Sequence, residues 1–283
     1  MGAAAMFITG WGEPFYDRRD KENLFRLARA YPGMMFAVFT NATLITEADM
    51  STIEDLGNLI LLLSLDGLEA TNDGRRGQGV FRRVAQTASQ LKRRRLVFGM
   101  AVTVTSVNYR EVTSAEFVDT GRAWGAMWVL YLRFTLYPQP QEGAWLNLSA
   151  QQASEYSCLL ESARQRQDMP LIDADEAERR FGGCRAQQGS LAFVDAVTGR
   201  ISACVKLPFA PPSYNLLASP SPGRLAELLQ SAHFRAFWKQ FPDGWQCCGD
   251  CRLKQMWSDA TPVGDLFMKR SLRRSPAQWI SGD

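Results

Sequence analysis

Five apolar runs, at residues 6–10, 35–40, 59–64, 98–105 and 127–134, alternate with stretches whose apolar residues recur at helical spacing. Leu24, Leu27 and Ala28 mark the first helical stretch. Thr46 is placed to cap the second, ahead of Met50, Ile53 and Leu56. In the third, Val80, Phe81, Val84, Ala88 and Leu91 share one face and arginines take the other. Strand–helix alternation at this spacing implies parallel strands covered on both faces, which suits an unbroken run such as LILLLSL. Five such units are too few for a closed eight-stranded barrel. The expectation is an α/β fold, a partial (β/α) barrel or an open sheet.

Ligands in such folds sit at the carboxyl ends of the strands. The residues ending the runs here are Gly10-Trp11-Gly12-Glu13-Pro14, Thr40-Asn41, Ser64-Leu65-Asp66-Gly67, residues 103–108, and Arg133. Two glycines let a ligand approach the backbone closely, and Glu13 adds a carboxylate for a cationic group. Asn41 and Ser64 offer amide and hydroxyl contacts on neighbouring strands. Taken singly, Gly, Asn and Asp end strands for turn reasons alone. As a set on one rim, they suit a polar small molecule with an amine and hydroxyls.

Five of the six cysteines fall between residues 184 and 251. Gly199, the residue type suited to a tight turn, divides strand candidates at 191–194 and 201–204, and the resulting hairpin carries Cys204 back beside Cys184. The C-x-x-C at Cys248 and Cys251 adds two more thiolates. Four converging thiolates hold zinc or an iron–sulfur cluster. Cys158 lies in a helix opened by a capping box at Ser149 and Gln152, and its neighbours Leu159 and Leu160 mark it as a core thiol.

Composition excludes several classes. A net charge of +3 leaves no global footprint for nucleic acid or membrane. The basic clusters at 92–95 and 269–274 read as solvated helix ends. No run is long enough to span a bilayer, and the apolar start lacks a basic n-region. Six cysteines without an export signal point to reduced thiols or metal ligands in the cytoplasm. His233, the single histidine, sits in an amphipathic helix beside Phe234 and Phe237, so histidine-based acid–base chemistry is not expected. Prolines and glycines divide the chain into a barrel at 1–140, a connector helix region at 141–182, a cysteine-rich α+β module at 183–255, and a tail at 256–283.

The order GWGEP, TNATLI, SLDG with TNDGRRGQGVF, and AVTVTSVN resembles the radical S-adenosylmethionine superfamily. The FGGC segment, the stretch 199–204 and the C-x-x-C resemble that family's auxiliary-cluster extension, SPASM or its shorter twitch form. The resemblance spans residues 7–251 and implies a partial (β/α) barrel binding S-adenosylmethionine at its strand ends. Gly10, Gly12 and Glu13, with Pro14 in the same segment, then meet the methionine amino group. Ser64 faces the carboxylate or ribose, with Asn41 nearby. Cys184, Cys204, Cys248 and Cys251 hold one auxiliary [4Fe–4S] cluster, with Cys247 as the alternative to Cys248. The implied partners are a peptide or small-molecule substrate and a reductant protein such as a flavodoxin or ferredoxin.

Two features depart from the family pattern. The family's C-x-x-x-C-x-x-C follows the first barrel strand, whereas this chain has no cysteine before Cys158 and starts at what resembles the second strand. No cysteine follows Cys251, which favours one auxiliary cluster. The expectation is a maturase or modifying enzyme in full-length form, with this polypeptide inactive alone. A binding or electron-transfer homologue and a four-cysteine zinc protein are the alternatives.

Overall fold

The structure, a computed structural model, describes residues 4–9, 12–135, 143–180, 191–195, 199–202, 216–217 and 224–232. The chain divides into two compact units. Among the described residues, 4–134 and 145–173 belong to the first, and 135, 143–144 and those from 174 onward to the second.

The first unit is a six-stranded, all-parallel sheet in sequential order, β1 (Ala5–Ile8), β2 (Met35–Thr40), β3 (Leu59–Ser64), β4 (Phe98–Val104), β5 (Val129–Arg133) and β6 (Leu171–Asp173). It is a curled partial barrel with helices over one face. The five expected strands all form. The sixth, β6, follows Pro170 and has only three residues, too few for alternation to show.

Between the strands run α1 (Arg18–Ala30), α2 (Glu47–Leu56), α3 (Glu69–Arg76), α4 (Val80–Arg93), α5 (Tyr109–Val112) and α6 (Ala115–Trp124), with α7 (Ala150–Arg166) before β6. Local chemistry starts several of them. Thr46 and Ser149 each close a capping box, with Asp49 and Gln152. Helix α4 has no capping side chain of its own. The Asp73 carboxylate caps it from upstream, accepting the Gly79 N–H at 2.7 Å and the Phe81 N–H at 2.8 Å.

Period-2 alternation sorts the strand residues. Phe36, Val38, Leu61, Leu63, Met100 and Val102 join Ile53, Val84, Ala88 and Leu91 of the helices in one buried core. The alternate positions line the inner, concave face, and their burial falls towards the outer strands: Leu62 is 2% exposed, Phe7 of β1 56% and Ile172 of β6 37%. Helix α7, within the stretch expected as a connector, joins the same core through Tyr156, Leu160 and Ala163. Cys158, expected in the core, is exposed. Helical geometry explains this, because a residue two positions from both Tyr156 and Leu160 lies about 200° round the axis from each.

Trp128, just before β5, crosses the floor of the inner face. A Cβ built on Gly99 would lie 2.4 Å from its ring. Gly99→Ala is therefore expected to lower stability by about 1–3 kcal/mol, the usual cost of overpacking, read from the denaturant midpoint. Adding Trp128→Leu should restore part of it. An unchanged midpoint for Gly99→Ala would mean the indole does not rest there.

The described part of the second unit contains α8 (Ala174–Arg180), the antiparallel hairpin β7 (Phe193–Val194) and β8 (Ile201–Ser202), and α9 (Arg224–Leu229). The hairpin forms as expected, with Gly199 at φ 70° in its turn and Asp195 N–H bonded to the Arg200 carbonyl at 2.9 Å.

Candidate functional site

The carboxyl ends of β1 to β4 gather the described rim residues. Register places Thr40 of β2 opposite Leu63 of β3, so Asn41, one residue on, comes level with Ser64, which in turn pairs with Ala101 of β4. Glu13 reaches this level from the loop after β1. Its Oε1 accepts the Thr40 hydroxyl at 2.6 Å and the Phe15 N–H at 3.2 Å, and its Oε2 accepts the Asn41 N–H at 2.7 Å. Three donors occupy three of a carboxylate's roughly four acceptor positions. Among the described residues one position on Oε2 stays open for a donor such as an ammonium group.

The segment after β2 is held in an unusual shape. Asn41 Oδ1 accepts the Thr43 N–H and hydroxyl at 2.9 and 2.8 Å. Ala42 has φ 61°, a left-handed conformation that costs an alanine about 1 kcal/mol or more. The Ala42 N–H bonds the Thr40 hydroxyl oxygen, and the Ala42 carbonyl accepts the Thr87 hydroxyl. This turn aims the remaining donor of Asn41, its Nδ2, without a partner among the described residues. The Ser64 hydroxyl is likewise uncommitted there. Sequence reasoning named Glu13, Asn41 and Ser64 as one rim, and the structure brings all three together. Gly12 is exposed, and Pro14 turns the chain beside Glu13. Gly10 and Trp11 lie outside the described residues.

The next strand ends are held by charge. Asp66, with no exposed surface, accepts the Thr103 N–H on Oδ1 at 2.8 Å. Its Oδ2 meets Arg75 at 2.8 Å and Arg76 at 2.7 Å. Arg75 also donates to the Thr103 carbonyl at 3.3 Å. Beyond Ser64, these side chains replace the missing strand partner of β4. Asn108 supports the turn, donating to the Asp66 and Thr103 carbonyls while its oxygen accepts from Thr105. The arginines were missed in the sequence. Their signal was a strand-ending Asp-Gly followed nine residues later by Arg-Arg-Gly. Arg133, also a strand end, is tied to buried Asp173 at 3.0 Å and stacks on Tyr156 at 5.0 Å. Burial, then the nearby Asp173 carboxylate, pushes the Tyr156 phenol well up, so its hydroxyl stays protonated and donates to Asp173 at 2.8 Å.

Cys184, Cys204, Cys247, Cys248 and Cys251 lie outside the described residues, and so does His233. Among the described residues no group of three or more His, Cys, Asp or Glu side chains is arranged to hold a metal ion. No helix among them is long and apolar enough to cross a membrane.

The parallel half-barrel with a polar rim over an apolar inner face has the fold of the radical S-adenosylmethionine enzymes. Streptococcus suis SuiB in its S-adenosylmethionine complex matches over 88% of this chain and 60% of its own, with a TM-score of 0.63 and 15% identity. SuiB bound to its precursor peptide SuiA matches over 84% and 56%, with a TM-score of 0.58 and 16% identity. Native anSMEcpe with bound AdoMet matches over 83% and 68%, with a TM-score of 0.62 and 18% identity. The chain thus spans less than two thirds of SuiB's length. No family model and no curated protein sequence matches it.

Proposed function

We propose that this chain is the S-adenosylmethionine-binding barrel of a radical S-adenosylmethionine protein that modifies a peptide. The observation that carries this is the rim at Glu13, Asn41 and Ser64. A carboxylate with one acceptor position left stands beside two uncommitted donors, on adjacent strands of this fold. Glu13 takes the methionine amino group, and Ser64 and Asn41 take the carboxylate or ribose. A peptide is favoured because SuiB binds precursor peptide SuiA on the same fold. The auxiliary cluster at Cys184, Cys204, Cys248 and Cys251 supplies one-electron chemistry when bound, and a flavodoxin- or ferredoxin-like protein is the matching reductant.

The 283 residues contain no C-x-x-x-C-x-x-C. That favours a second reading for this polypeptide, binding and electron transfer without cleavage of the sulfonium. Both readings share the rim and are tested there. Titration calorimetry is expected to show weak binding of S-adenosylmethionine, because the rim alone makes the contacts. Glu13→Gln should weaken it about tenfold, ~1.4 kcal/mol, with the thermal midpoint checked to confirm folding. Affinity unchanged in a folded Glu13→Gln chain would remove Glu13 from the site, and no heat at millimolar ligand would remove the site.

A further inference from the structure

The Asp66 cluster carries one more positive charge than its structural task requires. Two guanidinium groups share a single carboxylate oxygen, and both side chains remain about a quarter exposed, at 26% and 23%. One arginine suffices to pair a buried carboxylate. The other nearby carboxylates are engaged elsewhere: Asp73 caps α4 and Glu69 pairs with Arg82 at 2.7 Å. Glu111 accepts from the Leu68 N–H and the Thr71 hydroxyl. Burial is the main cause that lowers the Arg75 pKa, and the adjacent Arg76 adds to it against the pull of Asp66. Both arginines sit in the last turn of α3, where the helix carbonyls favour cations.

We propose that Arg75 and Arg76 form a carboxylate-binding subsite, separate from the rim at Glu13, that takes an acidic group of the substrate. This rests on the reading of the chain as a peptide-modifying protein. Guanidinium pairs match planar carboxylates in geometry and charge. The methionine moiety cannot serve both places. Glu13 is fastened to the end of β2, whereas Arg75 is fastened to Thr103 on β4. Two strand spacings, ~10 Å, separate those ends, and the ammonium and carboxylate of an amino acid hang from one carbon. The anion at Arg75 and Arg76 therefore comes from a second molecule, and an aspartate or glutamate side chain of a peptide has the required chemistry.

Saturation-transfer NMR on the full chain tests this with three probes: acetyl-glutamate amide, acetyl-glutamine amide and S-adenosylmethionine. The glutamate probe should give a signal that the glutamine probe lacks. Arg75→Gln should cut that signal at least fivefold, and Arg75→Lys should keep a measurable part of it. The S-adenosylmethionine signal should not change in Arg75→Gln, which also separates failure here from failure of the rim at Glu13. Equal signals from the two capped amino acids, or a glutamate signal indifferent to Arg75→Gln, would overturn the subsite. So would loss of the S-adenosylmethionine signal alone, which would assign the pair to the methionine carboxylate. An Arg75→Gln chain that fails to fold would also overturn it, because the proposal holds that Arg76 alone satisfies Asp66.

Discussion

Replacing Asp66 with Ala is expected to cost the barrel about 3–5 kcal/mol, the penalty for leaving buried charges without their partner. The carboxylate has no exposed surface and meets three donors, the Thr103 N–H and the side chains of Arg75 and Arg76. Removing it leaves two guanidinium groups facing each other at the end of β3 and strips β4 of the contact that replaces its strand partner. Asp66→Asn separates charge from shape. Its oxygen can still accept the Thr103 N–H, but its amide then points donors at two donors, so it too should fall well below the wild type. The exposed pair of Arg18 with Glu22 at 2.7 Å is the control, because solvent screens such pairs and they contribute little. Urea unfolding followed by hydrogen exchange at β3 and β4 would show whether the loss is local to those strands. An Asp66→Asn midpoint as close to wild type as that of Arg18→Ala would sink the assignment.

The contrast between Asp66 and Glu13 shows what the sequence made legible. Both follow strand runs, but only Glu13 stood out as a carboxylate beside glycines. Glu13 could be grouped with Asn41 and Ser64 because parallel strands in sequence order bring successive strand ends together, and the sheet has that order. What could not be read is which donors claim each carboxylate. That depends on register, and on α3 delivering Arg75 and Arg76 back over β3, a short helix hidden inside the TNDGRRG stretch. Local signals fared best. The N-cap at Thr46 and the capping box at Ser149 need only three residues of spacing, and both form. The hairpin turn at Gly199 was readable for the same reason. Cys158 was misread because two leucines beside it were weighed above the helical phase of Tyr156, Leu160 and Ala163. Six parallel strands, where five were expected, leave the architecture unchanged, since β6 adds to the edge beside β5.

Cys204→Ser is expected to remove most of the iron from an anaerobically reconstituted chain. We take Cys184, Cys204, Cys248 and Cys251 as the ligands of one [4Fe–4S] cluster, so the parent should hold about four iron atoms with matching acid-labile sulfide. The described hairpin precedes Cys204 in the chain. Its register pairs Phe193 with Ser202 and Val194 with Ile201, and both Ile201 and Ser202 are buried, so β8 is fixed two residues before Cys204. A hydroxyl is a poor substitute for a thiolate at a soft metal site, and a cluster with three thiolates should be lost on desalting. The adjacent pair gives an internal control. Neighbouring side chains in an extended or turning segment point apart, so Cys247→Ser should leave iron unchanged while Cys248→Ser should behave as Cys204→Ser does. Iron retained in Cys204→Ser would refute the ligand set. A colourless parent holding one zinc and no sulfide would instead assign the four cysteines to a tetrahedral structural site. The electron-transfer part of the proposed function would then fall, while the rim at Glu13 would still stand on its own hydrogen bonds.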